Sequence, residues 1–428
     1  MNRTKEIWMS GFALFSMFFG AGNLILPPLL GFKALDQWLI VALGFAITAV
    51  VIPIMAIYAH AKLQGTLYDF GKKVSPLFST VYCVLIYIIA IALPAPRTAS
   101  VTHEMAIQPF FETPTLLTST IYFLLVLVFV LNRSKVLSII GKFLTPLIVL
   151  ILLLIISIGI FSDASIANSG VSGAPLVDGI LEGYQTFDAV GGVVVGAVLI
   201  ISLNLRGHNG FEEKKELIKK SGLIAGTGLF VIYAGLIVVG ALYSSYFPSD
   251  IDRTALLAGL SLETLGSIGR TFLSVLVALA CFTTAVGIIT GTADYFKGLF
   301  GNSQKAYITT GVIGCVIGII VGSYNVGFII DIALPALMFI YPITIILILL
   351  NTVPSKWASP LVFKTVVLAT FIFSIPDFLK FLVNPKQLEP IVNSIPLAQH
   401  SLGWVLPALA AFILTNLFQK TSTARSDS

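Results

Sequence analysis

The sequence predicts an all-α integral membrane protein, and three observations carry that prediction. Of 428 residues, 57% are hydrophobic and only 11% are Asp, Glu, Lys or Arg, well under half the roughly 25% charge of a soluble domain. The mean hydropathy is +0.98. The apolar residues fall in runs of ~17–25, the length that crosses a bilayer as a helix, and they do not alternate as lipid-facing barrel strands would. This composition excludes a soluble globular protein, a disordered chain and a disulfide-dense secreted domain. No basic block suggests nucleic-acid binding, and nothing marks an obligate protein partner. The three cysteines, Cys83, Cys281 and Cys315, stand singly in apolar runs and read as packing residues.

In chain order, about twelve spans are expected: 8–30, 37–59, 77–100, 116–131, 138–160, 176–203, 222–247, 267–293, 306–322, 328–350, 361–382 and 402–418. They are numbered spans 1 to 12 below. The first is too long for a signal peptide, and Pro27-Pro28 stands where a small-residue cleavage site would be, so it reads as a retained helix. With the N-terminus in the cytoplasm, 19 of the 25 Lys and Arg fall on the inner side. The outer side receives Lys33, Arg97, Arg253, Arg270, Lys380 and Lys386. This bias supports the alternation, an even span count and two cytoplasmic termini. The longest loops, 204–221 inside and 248–266 outside, are too short to be separate domains. Short loops and the lack of a targeting segment point to the cytoplasmic membrane of a bacterium.

Two spans combine glycines with a central polar residue. Span 1 reads Phe18-Phe19-Gly20-Ala21-Gly22-Asn23-Leu24-Ile25-Leu26-Pro27-Pro28. Glycine weakens a helix and Pro27 removes a backbone donor, leaving bare backbone at mid-membrane. Such backbone is tolerated where it lines a cavity or meets a ligand; the alternative is that the glycines serve close helix packing. Span 6 reads Tyr184-Gln185-Thr186-Phe187-Asp188-Ala189-Val190-Gly191-Gly192. Asp188 falls near the bilayer centre, where an acid costs on the order of 3 kcal/mol on insertion scales and needs a partner. Gly191-Gly192 is the expected break in that helix.

Spans 1 and 6 lie five apart and start on opposite sides. That relation fits the first helices of two inverted five-helix repeats, 1–160 and 161–351, followed by two further spans in 352–428. In such carriers, half-helix N-termini favour a carboxylate and freed carbonyls favour a cation. In span 8, Thr283 and Thr284 fall slightly to the cytoplasmic side of centre. Two hydroxyls with carbonyls suit a hard monovalent cation, although Thr hydroxyls also bond their own helix backbone. Asp331 reads as an outer-rim residue or a proton site, Asp377 as near the outer surface, and Arg97 as closing span 3 and reaching the outer interface. His60, His103, His208 and His400 form no ligand cluster. No P-loop, Gly-x-Ser-x-Gly or HExxH motif is present, so neither ATP use nor hydrolysis is expected.

The chain resembles the branched-chain amino acid carriers, the leucine–isoleucine–valine:cation symporter family often named BrnQ. The resemblance spans essentially the whole chain. It is carried by 18–28, by Leu93-Pro94-Ala95-Pro96-Arg97-Thr98-Ala99-Ser100-Val101, by Gly141-Lys142-Phe143-Leu144-Thr145-Pro146 and by Tyr184 to Asp188. Here Phe187 replaces the Met of the family's Thr-Met-Asp. The family in turn resembles amino acid–polyamine–cation transporters of the LeuT fold, which implies five plus five inverted helices and two extra ones. Laid on that pattern, Gly22-Asn23 matches the unwound part of helix 1, and Thr186 to Gly192 match unwound helix 6. Ala280, Thr283 and Thr284 match the helix-8 residues of a sodium site whose helix-1 carbonyls fall near Ser16 and Phe19.

The implied activity is uptake of leucine, isoleucine and valine with a cation, sodium first and proton as the alternative, with no other cofactor and no enzymatic step. The substrate carboxylate is expected on the amides of Gly20, Ala21, Gly22 and Asn23. The ammonium is expected at span-6 carbonyls aided by Asp188, with Thr186 in the same site, and the side chain against Phe187 and span-3 residues such as Tyr87. A LeuT-like carrier of another small solute is the nearest alternative; an integral-membrane enzyme or sensor lacks an acid–base cluster or an output domain.

Overall fold

The computed structural model describes residues 3–132, 136–167, 173–194, 196 and 210–426. Among these, every regular element is a helix. Eight helical stretches are long and apolar enough to cross a membrane, and Leu144–Ile160 and Val405–Lys420 are shorter apolar helices. The second half of span 6 beyond Val194 lies largely outside the described residues, as do Arg133, Lys135, Arg206 and His208.

Span 1 is two helices, Arg3–Phe18 and Ala21–Ala34, broken at Phe19-Gly20. Gly20 caps the second helix in extended backbone, φ −109° and ψ −176°, with Asn23 closing the cap. Pro27 and Pro28 do not break it; the second helix runs through both. Span 2 comprises Trp38–Ala46, a π turn Ile47–Val51 and Ile52–Leu63. Span 3 runs much further than expected, from Pro76–Ala92 through a kink at Leu93 into Pro94–Thr102 and the π turn His103–Ile107. Pro94 begins the second segment, a position where a missing N–H costs nothing. Spans 4 and 5 are Thr115–Asn132 and Val136–Ile160.

Span 6 starts with Pro175–Tyr184, breaks over residues 185–187 and resumes from Asp188. Span 7 is Phe211–Leu242, eleven residues longer at its start than its apolar run, because Glu212 and Lys215 pair on an amphipathic first turn. Arg253–Leu299 contains span 8 after a turn at Gly266, whose φ of +70° is glycine's territory. The expected outer loop is therefore mostly helix. Spans 9 to 12 are Gln304–Val321, Val326–Thr352, Pro360–Leu379 and Val405–Ser426. A short helix, Pro385–Ser394, joins the last two.

Span 1 packs on span 7 and span 6 on span 2; spans 3 and 8 pack together, as do 4 and 9. Span 5 packs on 7 and 8, span 10 on 2 and 3. Exchanging spans 1–5 with 6–10 returns the same set of pairs. Spans 1 and 7 meet backbone to backbone. A Cβ on Gly31 would lie 1.8 Å from the Ile237 carbonyl oxygen, and one on Gly240 2.0 Å from that of Pro28. Small residues give membrane helices this closeness. Buried clusters hold Leu24, Phe45, Ile155, Leu236 and Val277 of spans 1, 2, 5, 7 and 8 in one core, and Ile86, Tyr184 and Leu347 of spans 3, 6 and 10 in another. The outward faces are also apolar: Leu117, Ile121, Leu124 and Val128 of span 4 are exposed. A fold apolar both inside and outside suits lipid as solvent.

Candidate functional site

The two helix breaks meet. From span 1, Asn23 donates its side-chain amide to Asp188 Oδ2 of span 6 at 2.6 Å. The same amide donates to the Tyr233 hydroxyl of span 7, and Tyr233 donates to Asp188 Oδ2 at 3.4 Å. Asn23 Oδ1 in turn accepts the Gly20 N–H at 3.2 Å, closing the cap of the second half-helix. All three side chains are buried. Asp188 thus has the partners its depth requires, and it uses them to tie spans 1, 6 and 7.

The span-6 break lies ahead of Asp188. Thr186 Oγ1 donates to the Gly183 carbonyl at 2.8 Å and accepts the Asp188 N–H at 3.2 Å. Phe187 adopts φ +62°, an outlier for a bulky side chain that surrounding contacts must hold. Gly191 and Gly192, the expected breakers, are helical. A Cβ on Gly192 would meet Ala56 Cβ at 2.9 Å and the Pro53 carbonyl oxygen at 3.0 Å, so this glycine serves packing on span 2.

Between the two breaks sits Arg97 of span 3. The interfacial position expected for it is wrong: the residue is 3% exposed. Its Nη1 donates to the Gln185 carbonyl at 2.8 Å, and its guanidinium lies 5.3 Å from the Phe187 ring centroid. Against span 1, a Cβ on Gly22 would stand 2.3 Å from Arg97 Nη2. Pro94 and Pro96 made this stretch look like a helix end. Because span 3 continues to Ile107, Arg97 is internal to it. A lone arginine inside a 32-residue apolar helix is the signal that would have found it. Tyr233 gave only a weaker one, a single hydroxyl in the apolar run of span 7.

Toward span 8, a Cβ on Gly20 would lie 3.8 Å from Thr284 Cγ2 and 4.0 Å from its Oγ1. Thr284 therefore faces the span-1 break. Thr283 Oγ1 donates to the Ala280 carbonyl at 3.0 Å, and Ser16 Oγ pairs with Thr145 Oγ1 of span 5 at 2.8 Å. Phe19, in the break itself, is buried and stacks on Phe15. No group of three or more His, Cys, Asp or Glu side chains suited to a metal occurs among the described residues.

Tyr87 does not join this group. It stacks on Tyr295 with ring centroids 4.2 Å apart. It precedes Arg97 by ten residues, about 15 Å along a helix. Asp331 is exposed and lines a cavity of about 360 Å³ with Gln185, Glu182, Arg253 and Met338, and Arg253 and Glu182 form an ion pair there. Asp377 is buried and paired with Lys380 at 2.8 Å.

Residues 3–422 match the family described as branched-chain amino acid transport protein. The chain is 31% identical over 412 residues to the branched-chain amino acid transport system 2 carrier protein of Pseudomonas aeruginosa, covering 94% of each. It is 31% identical over 423 residues to the branched-chain amino acid permease BraB of Bacillus subtilis, covering 96% of this chain and 94% of that one. Among solved structures, it is similar to the inward-facing conformation of Mhp1, with TM-score 0.59, 12% identity and coverage of 97% and 91%. It is also similar to an outward-open Na⁺-coupled sialic acid symporter, with TM-score 0.57, 14% identity and coverage of 96% and 90%. At these identities the structural likeness shows the fold alone, an all-α transporter fold of the LeuT kind.

Proposed function

The chain belongs to the branched-chain amino acid transport protein family, and from that premise we propose that it is a secondary symporter importing leucine, isoleucine and valine with sodium. The family consists of transporters and not enzymes. The observation that carries the site is the Asn23–Asp188 hydrogen bond, which brings two helix breaks to one point inside an apolar bundle.

The substrate carboxylate sits on the free amides opening the second half of span 1, where a helix N-terminus favours an anion. Its ammonium meets the carbonyls of the span-6 break: those of Glu182, Gly183 and Tyr184 already accept N–H groups of the break, and each carbonyl keeps a second lone pair for a further donor. Phe187 supplies apolar wall. Asp188 positions the two breaks through Asn23 and Tyr233. Sodium lies between the carbonyls of Ser16 and Phe19 on span 1 and, on span 8, Ala280 with the hydroxyls of Thr283 and Thr284; the nearness of Thr284 to Gly20 supports this.

Spans 1, 2, 6 and 7 form one bundle and 3, 4, 8 and 9 the other, and alternating access rocks them. The exchange symmetry of the packing supports repeats over 1–160 and 161–351, with 352–428 added. Removing buried Arg97 from the outer count leaves 19 inner against five outer basic residues, which supports about twelve spans with cytoplasmic termini in a bacterial cell membrane.

Radiolabelled leucine uptake into proteoliposomes tests this, with inward sodium and proton gradients imposed separately. Accumulation with sodium alone is expected. Accumulation with protons alone would remove the sodium site and keep the carrier. No accumulation from folded protein would overturn the substrate assignment.

A further inference from the structure

Arg97 carries more hydrogen-bond donors into the centre of the fold than the residues around it answer. Among the described residues its guanidinium has no ion pair, and Nη1 to the Gln185 carbonyl is its one side-chain hydrogen bond. A guanidinium has five N–H donors in a rigid plane. Its Nε is buried without a partner. Nε and Nη2 share one edge of that plane, the edge with which arginine takes a carboxylate side-on. Nη2 is also the atom against Gly22. The open edge of the guanidinium therefore adjoins the first turn of the second half-helix of span 1.

Asp188 acts on the guanidinium through space, but its Oδ2 bonds to Asn23 and Tyr233, and Arg97 donates to the Gln185 carbonyl and not to the carboxylate. At the span-6 break the buried Gln185 Oε1 also lacks a partner. An unpaired buried cation is unfavourable until an anion reaches it. Arg97 also belongs to the bundle opposite the one that carries both breaks.

We infer that Arg97 is the carboxylate anchor of the substrate: its Nε–Nη2 edge holds the α-carboxylate in two parallel hydrogen bonds beside Gly22, while Gln185 Oε1 accepts from the ammonium. The inference rests on the proposed amino acid substrate. It assigns specificity for free α-amino acids to span 3, and it makes the bound carboxylate a bridge between the two bundles, shared by span-1 amides on one side and Arg97 on the other.

Thermal-shift titration of the purified full chain with leucine and leucinamide tests it. Leucinamide keeps the ammonium and the branched side chain but lacks the carboxylate charge. The wild type should bind leucine about 100-fold more tightly than leucinamide, the scale of losing one partner of a buried charge pair. Arg97→Gln should weaken leucine by a similar factor and leave leucinamide within about threefold, so that the two ligands converge. Arg97→Lys, which keeps the charge and loses the fork, should fall between. Equal losses for both ligands, or unchanged leucine affinity in Arg97→Gln, would overturn the inference and leave the transport reading standing. If Arg97→Gln does not fold, Arg97→Lys decides: a loss confined to leucine supports the inference, and equal losses for the two ligands, or none, overturn it. Replacing chloride by gluconate should change nothing; a chloride requirement would give the edge to a halide. Absence of leucine binding to the folded wild type would overturn the substrate reading and this inference with it.

Discussion

The two helix breaks solve one problem in opposite ways. Span 1 opens at Gly20, a residue with no side chain to place, in extended backbone that carries little strain. Span 6 opens at Phe187, a bulky residue held in the left-handed region, with no glycine among residues 185–187. The first break is written into local chain chemistry. The second is held from outside by Arg97, on the Gln185 carbonyl and the Phe187 ring, and closed locally by the Thr186 hydroxyl bridging Gly183 and Asp188. Non-helical backbone inside a membrane thus needs either a permissive residue or a surrounding structure that over-determines it.

The largest test removes what joins the breaks. Asp188→Asn should abolish leucine uptake while leaving membrane insertion and a monodisperse elution profile intact, because one carboxylate oxygen serves Asn23 and Tyr233 together. Near-normal transport by that variant would reduce the junction to packing.

Next comes the contrast within span 1. A Cβ at Gly22 falls 2.3 Å from Arg97 Nη2, whereas one at Gly20 has nothing nearer than 3.6 Å. Gly22→Ala should raise the leucine KM by about tenfold, and Gly20→Ala by less than about threefold. The reverse order would show that the conformation of Gly20, and not the approach of Arg97, is what the break needs.

Thr283→Ala should have a moderate effect, raising the sodium concentration for half-maximal uptake several-fold more than the leucine concentration. An unchanged sodium requirement would remove the cation from this place.

The smallest effect is also diagnostic. A Cβ on Gly191 meets nothing within 4 Å, while Gly192 is crowded by Ala56 and Pro53. Since both residues are helical, Gly191→Ala should stabilise the protein by about 0.5–1 kcal/mol with transport unchanged. Gly192→Ala should lower the unfolding temperature instead. Lost transport in Gly191→Ala would move the break back to the glycine pair.

The fold was legible because bilayer thickness imposes run lengths and because exposed faces are as apolar as buried ones. Span 1 was legible because glycine and Asn sit in the break itself. Span 6 misled because Gly191-Gly192 looks like a breaker, yet both residues are helical and Gly192 serves contact with span 2, a property of the partner helix. Arg97 misled because two prolines that begin a helix segment read, in one dimension, like the end of one. Tyr87 and Arg97 share a span, and only the three-dimensional packing tells which level of it meets the breaks.

The paired glycines of spans 1 and 7 have a mechanical meaning. Gly31 and Gly240 each press against a backbone carbonyl of the other helix, so the second half of span 1 cannot slide or turn without carrying span 7. Span 7 is a continuous helix of 32 residues, about 48 Å at 1.5 Å per residue. Its far end bears Glu216, paired with Arg3 at the start of span 1. A shift of the second half of span 1 is thereby carried along a single rod back to Arg3, where the first half of the same broken helix begins.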